Sequence, residues 1–160
     1  MQVVKYNGIH KTRLAILLCN YFMEMHPNSF NGSYSTALDM IDVAIGEGRT
    51  IYVLEDKGIA IGFIIVYLNN QFNMTSNYVV CEYMYIDTDY RSTSATLHLY
   101  NMLGRISKDY NCDVLGVTLN SSSNINNIKR LGGTPIATTF IVDKEDVAKH
   151  YERYKRRIER

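Results

Sequence analysis

Only two prolines, Pro27 and Pro135, punctuate the 160 residues, and no linker, internal repeat or low-complexity stretch divides them. With hydrophobic residues at 46%, that argues for a single ordinary globular domain, long enough to bury one substantial core. The three cysteines, Cys19, Cys81 and Cys112, lie far apart, each in or beside an apolar segment. Such spacing excludes a zinc motif and fits reduced, packed thiols in a cytosolic setting. His10, His26, His98 and His150 show no ligand spacing either, so no metal is expected. The longest nearly apolar run, Gly58–Leu68, is about half the length a bilayer span needs. Met1–Lys5 lacks the layout of a signal peptide. The formal charge of +1 exerts no general pull toward nucleic acid or membrane. These absences leave a cytoplasmic protein with neither nucleic acid nor membrane as its partner.

What is present reads as an alternation of helices and strands. Val3–Tyr6 suits a short first strand. Leu14, Leu17, Leu18, Tyr21, Phe22 and Met25 recur at helical spacing, and Pro27 closes that helix. After a polar loop at Asn28–Tyr34, Ser35 or Thr36 can cap a second helix, through Leu38, Ile41 and Ile45 to Gly46 and Gly48. Thr50–Glu55 and Ile59–Leu68 flank Asp56-Lys57-Gly58, which predicts a hairpin with a bulge near Gly62. Tyr78–Ile86 is apolar on both faces, hence a central strand. A helix from about Ser94 to Tyr110 places Ala95, Leu99, Met102, Leu103, Ile106 and Tyr110 on one stripe. Val114–Val117 is a short buried strand. Ser123 caps a short helix ending at Gly132-Gly133, Thr134–Val142 is a strand, and Asp143 caps a terminal helix. The order β-α-α-β-β-β-α-β-α-β-α predicts a mixed α/β (α+β) fold with a mostly antiparallel sheet, helices on both faces and one parallel strand pair. That pair, expected to splay at its carboxyl ends, makes the crevice where α/β folds commonly bind ligands.

The most informative stretch is Cys81–Leu97, a strand, a polar turn containing Arg91 and a helix start. It aims backbone N–H groups and the positive end of a helix dipole at one point, a geometry suited to phosphate. The alternative is an ordinary polar turn with an exposed arginine.

With Glu55–Phe63, Glu82–Ile86 followed by Arg91, and Asn124–Gly133, the order of elements resembles the GNAT superfamily of acetyl-CoA-dependent N-acetyltransferases over about Thr50–Val142. Arg130–Pro135 is similar to the ending of small GNAT-like proteins from phage genomes. The resemblance implies one domain over 1–142, with 143–160 as a charged C-terminal helix and candidate interaction element. It implies coenzyme A held by Tyr85, Ile86, Arg91, Ser92, Thr93, Ser94, Ala95, Thr96 and Asn120. Two departures stand out. The family's loop is Q/R-x-x-G-x-G/A, whereas Ser94 and Thr96 occupy both glycine positions here. The general-acid tyrosine of the family is replaced by Ile128.

Two residues are candidates for the chemistry. Glu82 is the one carboxylate inside the central strand, on a face with Val80, Met84 and Ile86, where it can accept a proton from an amine directly or through water. The bland alternatives are a strand bulge that lets it meet solvent, or an arginine partner. Tyr83 and Tyr85 fall on the opposite face as core or cleft wall, with Tyr85 the candidate substitute acid. The expected activity is acetyl transfer to an amine, of a small molecule or a protein, by direct attack on acetyl-CoA. The alternative is a catalytically degenerate GNAT fold serving as an assembly or binding protein, such as a phage virion component. The terminal stripe Val147, Tyr151, Tyr154 and Ile158, set among Lys155, Arg156 and Arg157, suits either packing on its own sheet or contact with a partner or second copy.

Overall fold

The computed structural model describes residues 1–27, 30, 32–69, 78–111 and 114–117. The expectations for Asn120, Ser121–Ser123, Asn124–Gly133 with Ile128, Thr134–Val142 and the helix of 143–160 lie outside the described residues.

Strand β1 (Gln2–Lys5) is followed by helices α1 (Lys11–Met25) and α2 (Tyr34–Gly46), strands β2 (Thr50–Asp56), β3 (Ile59–Asn69) and β4 (Tyr78–Ile86), helix α3 (Thr93–Asp109) and strand β5 (Val114–Val117). Within this part of the chain the expected order and types hold. One helix cap is corrected and a second is supplied. The α2 cap is Ser33, whose side chain accepts from the Thr36 N–H, rather than Ser35 or Thr36. The α3 cap is Ser92, whose hydroxyl accepts from the Ala95 N–H, so the helix begins at Thr93. In each case the serine stands in extended backbone just before the first helical turn, where it can reach an otherwise orphaned donor.

The five strands are ordered β1-β2-β3-β4-β5 in one sheet. The first three pairings are antiparallel, and β4 with β5 is parallel. The β2–β3 hairpin closes on Lys57 and Gly58, with φ of 50° and 82°. Positive φ at both central positions makes a tight turn whose twist matches the strands it joins. The expected bulge follows at Ile61: Leu54 faces Gly62 while Glu55 faces Ala60, which leaves Ile61 as the extra residue.

One face of the sheet presents Ile51, Val53, Phe63, Ile65 and Tyr85 to Leu14, Leu17, Leu18 and Tyr21 of α1 and to Ala37 and Ile41 of α2. Residues alternating with these turn to the other face. There Tyr52 donates from its phenol to Asp109 at 3.2 Å, and Tyr110 beyond the end of α3 donates to the Thr50 hydroxyl at 2.5 Å. The α3 residues Ala95, Met102, Leu103 and Ile106 are buried, as the apolar stripe requires. Helices therefore cover both faces. No helix among the described residues is long and apolar enough to cross a membrane.

Gly62 sets how closely β3 meets β4. A Cβ built there would lie 2.6 Å from the Tyr85 carbonyl oxygen and 3.4 Å from Ile86 Cα, both backbone atoms that cannot rotate away. Gly62→Ala is expected to force the strands apart at Tyr85–Ile86 and to cost about 1–3 kcal/mol, the range for overpacking a close-packed contact. Urea unfolding of the two proteins checks this, and an unchanged midpoint would contradict it.

Candidate functional site

Alternation along β4 breaks at its middle. Ile65 faces Tyr83 and Val66 faces Cys81, so Glu82 is an extra residue with no partner opposite on β3. Tyr83 and Tyr85 face α1 and α2, as expected, but Cys81 and its partner Val66 stand outside that cluster although both are buried. The expectation that Glu82 shares one face with both Val80 and Met84 is thereby corrected, because a bulge puts residues before and after it out of phase.

Pairing with β5 stops at the same place. Tyr78–Cys81 are matched with Val114–Val117, and β4 continues through Glu82–Ile86 with no described β5 residue beside it. The Asp87 N–H donates to the Ile61 carbonyl, which points Asp87 at β3. By strand alternation, Ile86 turns its N–H and C=O to the opposite edge. Its carbonyl accepts from Arg91 Nε at 3.0 Å. Tyr85 turns its carbonyl to β3, close to Gly62. Of Tyr85 and Ile86, both candidates for holding coenzyme A, Ile86 alone turns its backbone groups to that edge.

Glu82 has the arginine partner that the sequence left open. Arg49 Nε donates to Glu82 Oε2 at 2.8 Å, and the two side chains are each about a quarter exposed (26% and 25%). Arg49 also pairs with Glu47, and its guanidinium stands 5.6 Å from the centre of the Tyr67 ring. The Tyr83 phenol is held above its ordinary pKa by burial first and by the neighbouring Glu82 charge second. The Tyr85 phenol is raised for the same leading reason. Its ring packs edge-on to Tyr21 at 5.9 Å and tilted against Phe63 at 6.0 Å. Burial pushes the Cys81 thiol up to about 12, which suits a packed thiol rather than a nucleophile.

Beyond β4 the chain turns through a single 3-10 turn, Thr88–Tyr90, to Arg91 and the capped start of α3. Arg91 lies over the Tyr85 ring, 5.3 Å from its centre. Its two terminal nitrogens form a fork on Glu24 of α1, at 2.9 and 2.5 Å. Ser94, at one of the two positions that glycine would occupy, is exposed, and Ala95 is buried. The backbone of Thr93 and Thr96 lies in the first turn of α3. Thus Tyr85, Ile86 and Arg91–Thr96 come together around the end of β4, while Glu82 stands four residues earlier on the strand. Asn120 lies outside the described residues.

The sequence reading missed Arg13, Glu24, Arg49 and Asp87. Asp87 is the one buried polar or charged residue among those described, at 6% exposure. It pairs with Arg13 of α1, whose Nε also donates to the Ala60 carbonyl at 3.1 Å. Arg13 and Glu24 are eleven residues apart, about three helical turns, so both look the same way from α1. Their spacing puts two opposite charges on one face of a helix, but nothing in the sequence names Asp87 and Arg91 as the partners.

A sequence model of the acetyltransferase (GNAT) family matches residues 16–132, well over half of the chain. Against curated protein sequences the chain has no match. Among solved structures it is similar to a probable acetyltransferase, at 14% identity and a TM-score of 0.71, with 90% of this chain and 100% of that one covered. A ribosomal-protein-alanine N-acetyltransferase from Brucella melitensis biovar Abortus 2308 is 11% identical, with a TM-score of 0.70 and coverage of 89% and 99%. An aminoglycoside N-acetyltransferase in complex with CoA is 14% identical, with a TM-score of 0.63 and coverage of 89% and 93%. At these identities the likeness is one of fold.

The buried ion pair gives a stability prediction. Arg13→Met leaves the Asp87 carboxylate buried and uncompensated, which costs about 3–5 kcal/mol for a fully buried pair. Because Arg13 is a third exposed (32%), about 2–3 kcal/mol is expected after discounting for solvent screening. Arg13→Met/Asp87→Asn should recover part of the loss, and denaturant melts of the single and double variants measure it. Equal losses in both would show that the charge is not the cause.

Proposed function

We propose that this chain, which belongs to the GNAT acetyltransferase family, is an acetyl-CoA-dependent N-acetyltransferase acting on the amine of a small molecule or a protein. The observation that carries the proposal is the coincidence at Glu82. There β4 breaks register with β3 and continues beyond its described pairing with β5. Five strand residues, Asp87 and one 3-10 turn then lead to Arg91 and the N-terminus of α3.

The residues fit a thioester with a diphosphate tail. The Ile86 N–H is turned to the edge of β4, where a donor can polarise a carbonyl as charge develops on its oxygen. The first turn of α3 offers N–H groups and a helix dipole to phosphate. The exposed Ser94 hydroxyl adds a donor where the family has glycine. Acetyl-CoA supplies the acetyl group as a thioester open to direct attack by the amine. Glu82 receives the amine's proton, directly or through water, and Arg49 holds its carboxylate in place. Tyr85, a phenol already protonated at neutral pH and held further above its ordinary pKa by burial, walls the site and is the candidate proton donor to the departing thiolate. Much of the rate then comes from positioning. Among the described residues no observation favours the assembly-protein reading.

Two measurements test the proposal. Saturating acetyl-CoA should raise the melting temperature, since a ligand at a hundred times its Kd adds about 2.7 kcal/mol, and Arg91→Glu should abolish the shift. No shift at millimolar acetyl-CoA would overturn the proposal. With an acceptor found by screening primary amines for thiol release, Glu82→Gln should lower kcat by about 10²–10⁴, the contribution of a positioned general base, with little change in the KM for acetyl-CoA. A fall below tenfold would remove Glu82 from the reaction.

A further inference from the structure

The arginine best placed to meet an anion is already holding one. Arg91 spends Nε on the Ile86 carbonyl at 3.0 Å. Both terminal nitrogens are forked on Glu24, Nη1 to Oε1 at 2.9 Å and Nη2 to Oε2 at 2.5 Å. This is the two-point, planar geometry that a guanidinium also uses on phosphate. The pair is charge-neutral and lies at the surface, with side chains 43% and 39% exposed. The partners come from different elements, the last turn of α1 and the turn before α3. The fork therefore exists only because α1 is docked against the end of β4.

We infer that Glu24 is an internal competitor for Arg91, occupying the guanidinium face that a phosphate of coenzyme A would take and thereby setting the affinity of the site. The inference rests on the acetyl-CoA reading above and adds to it a residue that the sequence pattern did not indicate. A phosphate that engages Arg91 bidentately must first displace the Glu24 carboxylate, while the Nε bond to Ile86 and the packing on the Tyr85 ring keep the arginine in place. At the other end of α1, Arg13 holds the buried Asp87, so α1 stays anchored when Glu24 lets go.

The test is calorimetric titration of coenzyme A itself, which reads binding without turnover, into the wild type, Glu24→Gln, Glu24→Asp and Arg91→Gln. Glu24→Gln removes the competing charge and is expected to bind about two- to five-fold more tightly, the span set by an exposed ion pair. Glu24→Asp keeps the charge on a shorter arm and should fall between. In the Arg91→Gln background the Glu24 substitution should have no effect, because nothing remains to compete for. Thermal melts establish that each variant is folded. Equal or weaker binding by Glu24→Gln, with the wild type binding normally, overturns the competitor role and leaves the acetyl-CoA reading intact. Absence of coenzyme A binding by the wild type and Glu24→Gln alike overturns both.

Discussion

The ion pair of buried Asp87 and half-buried Arg13 is the contact on which the candidate site depends. Asp87 is the first residue beyond β4, and its N–H holds the Ile61 carbonyl at the bulge of β3. Arg13 spans from α1 to the same bulge through the Ala60 carbonyl. One carboxylate and one guanidinium thus join a helix, a bulged strand and the end of the central strand. A carboxylate buried this deeply persists only with a partner of opposite charge and further hydrogen bonds, and both are present. From that fixed point the chain reaches Arg91 in four residues and starts α3 two residues later, at Thr93.

The bulge at Glu82 is the complementary departure from regularity. A regular strand would have carried one alternation of faces straight through to Ile86. The extra residue instead shifts the phase, so that β4 stays paired with β3 through to Ile86 while the faces before and after Glu82 are exchanged. Gly62 is the price of this arrangement on the neighbouring strand: β3 must come close enough to the Tyr85 carbonyl that no side chain fits. Family membership and the positions of these irregularities bear on the same functional reading from independent directions.

Much of the fold was legible in the sequence. Helical spacing in Leu14–Met25, the Asp-Lys-Gly hairpin and the doubly apolar run Tyr78–Ile86 are local signals, and each element formed where its pattern said. The α2 cap was misread by two or three residues because Ser33, Ser35 and Thr36 are chemically alike, and only the path of the backbone decides which hydroxyl meets the Thr36 N–H. The side chains near the site were legible as types but not as pairs. Nothing local to Glu82 names Arg49, thirty-three residues earlier, and nothing local to Arg91 names Glu24. Ion pairs between distant segments are set by packing and leave no periodicity. The bulge itself was open in the sequence only as one of several fates for a lone carboxylate in an apolar strand.

The Ser92 cap has a thermodynamic consequence. Its hydroxyl already satisfies the Ala95 N–H, and α3 is anchored by buried Ala95, Met102, Leu103 and Ile106. The helix start is therefore formed and capped without any anion, with first-turn N–H groups still free of the cap. A phosphate arriving there would order no loose turn. Such binding carries little of the unfavourable ordering entropy, and little of the negative heat-capacity change, that accompany folding of a segment onto its ligand. With serine and threonine at positions 94 and 96 in place of glycine, the segment would give up close backbone approach and keep a preformed helix end, trading closeness of contact for rigidity before contact.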